Sequence, residues 1–100
     1  MIAYTERGSI EPLKAGRTVE VRGAGNSMTP LIENGETVLV EPVNDKTVLQ
    51  KGDVVIAKVR GRVYLHLIRA IRSDQIQIGT NHGHVNGWTP RAHIYGRLRR

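Results

Sequence analysis

Two apolar runs, Val54 to Val59 (VVIAKV) and Val63 to Ile71 (VYLHLIRAI), are separated only by Arg60-Gly61-Arg62. Runs this short, rich in β-branched residues and joined by a glycine-centred turn, predict a tight antiparallel hairpin. The rest of the chain reads in the same terms. Thr18 to Arg22 alternates apolar and polar residues, and Glu36 to Val43 forms a strand behind the Asn34-Gly35 turn. Ser73-Asp74 turns the chain into Gln75 to Ile78, and His93 to Leu98 supplies the last strand. Asn44 to Lys51 is expected as a loop or a short helical turn and Thr80 to Thr89 as an exposed loop, and no stretch carries a helical period. The pattern predicts an all-β fold of compact, coiled antiparallel sheets or a partly open barrel. A single domain is expected over residues 1–100, with a core at 18–98 and an N-terminal extension at 1–17.

Composition narrows the chemistry. Aromatics make up 4% of the chain with no Phe, so Val, Leu and Ile must fill the core. The absence of Cys excludes disulfides, thiolate metal sites and a cysteine nucleophile. Met1 to Ser9 has no apolar core of signal-peptide length, and no run is long enough to span a bilayer. A cytoplasmic protein with no membrane partner is expected. The net charge of +6 favours acidic partners, nucleic acid among them. Its positive residues are spread along the chain, however, and only Arg97, Arg99 and Arg100 cluster. A solvated basic surface is therefore preferred, with nucleic acid as a secondary partner.

Three stretches stand out. Gly25-Asn26-Ser27-Met28-Thr29-Pro30 precedes Asn34-Gly35-Glu36 and the strand Val38 to Val40. Lys51-Gly52-Asp53-Val54-Val55 enters the next strand, and Tyr64-Leu65-His66-Leu67-Ile68-Arg69 follows on the second arm of the hairpin. In this order and spacing they resemble the LexA-like and type I signal peptidase-like serine peptidases. The first is similar to that family's Ser-Met box, the second to its Gly-Asp strand entry. The third falls where the family keeps its general base. From about Val19 onward, the resemblance covers the rest of the chain.

The resemblance implies a fold of the LexA C-terminal type, with Ser27 as nucleophile and His66 as base. Backbone amides of Asn26, Ser27 and Met28 would donate to the oxyanion. A serine hydroxyl needs such a base to accept its proton, and attack on an amide needs donors for the oxygen that becomes charged. Met28 and Leu31 are expected to pack beneath the site. Two departures separate this chain from the pattern. LexA-like repressors and bacterial signal peptidases carry lysine where His66 stands; microsomal-type signal peptidases carry histidine. Those histidine enzymes also have aspartates in the loop after the base, where this chain reads Gly79-Thr80-Asn81-His82-Gly83-His84 without a carboxylate. Asn81 or a loop histidine is the expected substitute for the group that orients His66.

Two functions compete on these residues. One is a serine peptidase using a Ser27–His66 dyad on a peptide or protein. The other is an inactive peptidase-like scaffold that binds a peptide or protein, a homodimer being one arrangement. A weaker third is a nucleic-acid-associated basic protein. No cofactor is expected. His82, His84 and His93 could chelate zinc only with ligands drawn from dispersed residues, so no metal is expected either. Trp88 is expected to anchor its loop by packing. Ala15-Gly16 and Ala24-Gly25 are similar to the Ala-Gly bond that LexA-like repressors cleave in themselves. Both lie too close to Ser27 for the chain to fold back, so self-cleavage is not expected. The chain is expected to be a stand-alone domain, with neither a helix-turn-helix unit nor a membrane anchor.

Overall fold

The computed structural model describes residues 7–23 and 25–99. They run as α1 (Arg7–Lys14), β1 (Val19–Arg22), β2 (Thr37–Pro42), β3 (Val54–Val59), β4 (Arg62–Arg72), β5 (Gln75–Gly79) and β6 (Val85–Pro90). A 3-10 turn (Arg91–His93) and β7 (Ile94–Leu98) complete the order. The seven strands form one antiparallel sheet in the order β1-β2-β7-β3-β4-β5-β6, which does not close into a barrel.

The β3–β4 hairpin forms as the sequence predicts. Val59 pairs with Arg62 across a two-residue turn, with Arg60 and Gly61 both at positive φ (51° and 81°). Positive φ at both central positions lets a tight turn follow the right-handed twist of its strands. Successive side chains of β3 and β4 then point to opposite faces, and both faces are covered. Val54, Ile56, Val63, Leu65 and Leu67 join one core cluster with Val21, Met28, Ile32, Val38 and Val40. Val55, Ala57, Val59, Tyr64 and Ile68 join a second with Leu49, Ile76, Ile78 and Ile94. The sheet coils so that β6 returns towards β3, where the Thr89 hydroxyl donates to Lys58 O at 2.7 Å.

Three expectations need correction. A helix, α1, is present although the sequence carries no helical period. Its eight residues include Pro12, so little favours the helix locally. Packing supplies the reason for it: Leu13 is 3% exposed and belongs to the first cluster. Gly96 of β7 permits that approach, since a Cβ there would lie 2.9 Å from Leu13 Cδ1 and 2.5 Å from Val40 Cγ1. The Thr80 to Thr89 segment is not all loop, because β6 pairs along β5 from Gln75↔Pro90 to Gly79↔Val85. Trp88 does not anchor a loop. It lies on β6, 38% exposed, with the Arg72 guanidinium 5.0 Å from its ring centroid.

Two register shifts interrupt the ladders on either side of β5. Between β4 and β5, Ile68↔Ile78 is followed by Ala70↔Gln77, leaving Arg69 as an extra residue. Between β5 and β6, Ile78↔Gly87 is followed by Gly79↔Val85, leaving Asn86 as the extra residue. A bulge of this kind re-aims the side chain it carries.

Candidate active site

Ser27 sits in a run of turns that joins β1 to β2. Thr29 N–H donates to Asn26 O (3.3 Å) and Ile32 N–H to Met28 O (3.0 Å). Met28 and Ile32 are fully buried and pin the segment to the first core cluster. Leu31, expected beneath the site as well, is instead exposed. The base of the segment is closed where Gly23 N–H donates to Glu36 O and Gly35 N–H to Gly23 O, each at 2.8 Å. Across from it, Asn81 acts as a clamp. Its backbone N–H donates to Ser27 O and its side-chain Nδ2 to Thr29 O, both at 2.9 Å. Arg69, the extra residue of the first bulge, steadies that loop by donating to Thr80 O at 3.0 Å.

His66 stands midway along β4 with no exposed surface, its ring stacked on Tyr64 at a centroid separation of 5.0 Å. Its Nε2 lies 3.2 Å from Ser27 Oγ. Its Nδ1 lies 2.7 Å from Asn86 Oδ1. An amide oxygen only accepts, so the Asn86 contact assigns the ring proton to Nδ1 and leaves Nε2 bare to accept from the Ser27 hydroxyl. Burial lowers the pKa of His66 below the ordinary histidine value, and the bond to Asn86 opposes part of that shift. At neutral pH the ring is therefore uncharged, as a proton acceptor must be.

The structure brings together Ser27 and His66, which the sequence singles out, and adds Asn86, which it does not. Asn81 does not orient His66; it holds the serine segment. His82 Nε2 lies 3.0 Å from Thr29 Oγ1, and His93 Nδ1 lies 3.2 Å from Thr89 Oγ1. Among the described residues no group of three or more His, Cys, Asp or Glu side chains converges as a metal site would require. The amides of Asn26, Ser27 and Met28 share one turn with the Ser27 hydroxyl, and Met28 N–H donates to no acceptor among the described residues. Ala15-Gly16 follows the end of α1. Ala24 of the second Ala-Gly pair lies outside the described residues. A cavity of about 450 Å³, lined by Val43, Asn44, Asp45, Asp74, Arg91 and Ile94 among others, contains none of Ser27, His66 and Asn86.

Among the described residues no helix is long and apolar enough to cross a membrane. No curated protein matches the chain. The family model described as Peptidase S24-like matches residues 6–91. With the all-β sheet and most of its length accounted for in this way, the chain belongs to the Peptidase S24-like family, within the LexA/signal peptidase-like superfamily.

Proposed function

We propose that the protein is a serine peptidase acting on a peptide or protein, with Ser27 as nucleophile, His66 as general base and Asn86 orienting the base. The observation that carries this reading is the unbroken line from Ser27 Oγ to His66 Nε2 (3.2 Å) and from His66 Nδ1 to Asn86 Oδ1 (2.7 Å). As Ser27 Oγ attacks the scissile carbonyl carbon, its proton passes to Nε2 and the carbonyl oxygen becomes an oxyanion. The amides around Asn26 to Met28 are the donors for that oxygen. Collapse of the tetrahedral intermediate breaks the C–N bond, and the Nε2 proton leaves with the amine. A water then gives its proton to His66, attacks the acyl-serine ester and restores the hydroxyl.

Asn86 holds the imidazole in the tautomer this sequence requires, but it brings no negative charge to the imidazolium that forms. The neutral partner favours slow turnover. It is also the observation behind a second reading, a scaffold that grips a peptide or protein without cutting it.

The test compares wild type with Ser27→Ala for hydrolysis of a peptide library, with the melting transition as a control for folding. A fluorophosphonate probe is used alongside. Cleavage and covalent labelling in wild type, both lost in Ser27→Ala, support the peptidase. Equal hydrolysis by the two proteins, or no labelling of wild type, sinks it.

A further inference from the structure

From Val54 to the C-terminus Asp74 is the single carboxylate side chain, so the net charge of +6 is concentrated in the second half of the chain. The structure sorts the cations there into two groups. Arg97 lies 3.7 Å from Asp53, and Arg99 lies 3.6 Å from Glu41. Arg69 and Arg91 are engaged by backbone carbonyls of neighbouring loops. By contrast, Lys58, Arg60, Arg62 and Arg72 make no ion pair with a carboxylate among the described residues.

Two of these four lie beside one short stretch of β6, Gly87-Trp88. Arg72, at the end of β4, stacks on the exposed Trp88 ring. Arg60, in the β3–β4 turn, lies against Gly87, next to Trp88: a Cβ on Gly87 would be 3.6 Å from its Nε. Coiling of the sheet creates this grouping, because β6 reaches β3 only by crossing over the second core cluster. Gln77, paired across from Trp88, shares its outward face, as does Gln75, paired across from Arg72. Asp74 stands in the β4–β5 turn, its carbonyl bonded to Arg91 N–H. β6 is also an edge strand, paired only to β5.

An exposed indole with a guanidinium over its ring, an arginine without an ion pair beside the neighbouring glycine and amides alongside suits one polymer above others. Bases stack on aromatic and guanidinium faces, while phosphates take the cations. An acidic peptide would use the cations but leave the indole without a flat partner. We propose that the Trp88 face of β6 binds single-stranded nucleic acid, with Trp88 and Arg72 stacking on bases and Arg60 contacting phosphate. The inference stands or falls without the peptidase reading.

Trp88 is the sole tryptophan, so its fluorescence reports on this surface alone. Titration of the whole protein with oligo(dT) is expected to quench that fluorescence. Affinity should fall with added salt, at a log–log slope of about −0.7 for each phosphate contact. Labelled oligo(dT) followed by anisotropy should bind Trp88→Ala about tenfold or more weakly. Trp88→Tyr should recover most of the loss, and Arg72→Gln should weaken binding without touching the indole. Ser27→Ala should bind like wild type. The proposal is overturned if oligo(dT) causes no quenching, or if Trp88→Ala binds as tightly as wild type. It is equally overturned if a duplex or poly-glutamate binds as tightly as oligo(dT), which would mark diffuse charge attraction or an acidic protein partner.

Discussion

Asn86 Oδ1 accepts a hydrogen bond from His66 Nδ1 at 2.7 Å, and this contact puts the ring proton on the nitrogen away from Ser27. Removing it should separate orientation from folding. Asn86→Ala leaves a buried N–H unpaired, at a cost of about 1–3 kcal/mol of stability. Hydrolysis should fall by about 10²- to 10⁴-fold as Nε2 loses its fixed role as acceptor. Nitrogen NMR of the His66 ring measures the tautomer directly. An unchanged tautomer together with unchanged turnover would remove Asn86 from the mechanism. Asn86→Asp should raise the His66 pKa by placing a negative charge beside the ring, shifting the acid limb of the pH–rate profile upward.

Because burial holds the His66 pKa below the ordinary value, kcat/KM should rise through a titration centred below about 6.5 and be flat at neutral pH. Stability follows the same group. The folded state resists protonation of His66 and the unfolded state does not, so the unfolded chain binds more protons in acid. Stability from this residue is present above the unfolded pKa of about 6.5 and is lost as pH falls from there through the lower folded value. Melting temperatures measured across that window should decline less in His66→Gln than in wild type. An equal decline would place the acid sensitivity elsewhere.

Leu13→Ala tests whether α1 belongs to the fold. Leu13 is 3% exposed, within a cluster spanning β1, β2, β3 and β4. Truncation should cost about 2–5 kcal/mol in urea unfolding, the range for a buried leucine. A loss below about 0.5 kcal/mol, as at a surface position, would show that the helix does not contribute to the core.

Asn81→Ala removes the side-chain bond to Thr29 O but keeps the backbone bond to Ser27 O. Stability should drop by only about 0.5–1.5 kcal/mol, the net value of one such bond. The serine segment loses one of its two ties to this loop residue, so kcat should fall while KM changes little. Matched changes in kcat and stability across temperature would point to general loosening instead.

Much of this arrangement is legible in residue order. The β3–β4 hairpin follows from two apolar runs and a glycine, and Ser27 and His66 from short motifs in sequence. Asn86 is not legible, because it reaches His66 only as the extra residue of a bulge, and neither alternation nor spacing marks where a ladder slips. Strand β6 is hidden for a related reason: VNGWTP carries glycine, asparagine and proline, each depleted in strands. The helix α1 escapes notice because eight residues with a proline hold their shape through Leu13 and tertiary packing, which local propensity cannot register.

The line Ser27–His66–Asn86 draws on three distant points of the chain, the first two 39 positions apart and the last two 20. Its final member rides on the last strand but one. A chain still leaving the ribosome can hold Ser27 and His66 long before β6 has emerged to fix the imidazole proton. On the proposed peptidase reading, the Ser27 hydroxyl gains its oriented base only once β6 has joined the sheet, so folding itself acts as a safety catch on it.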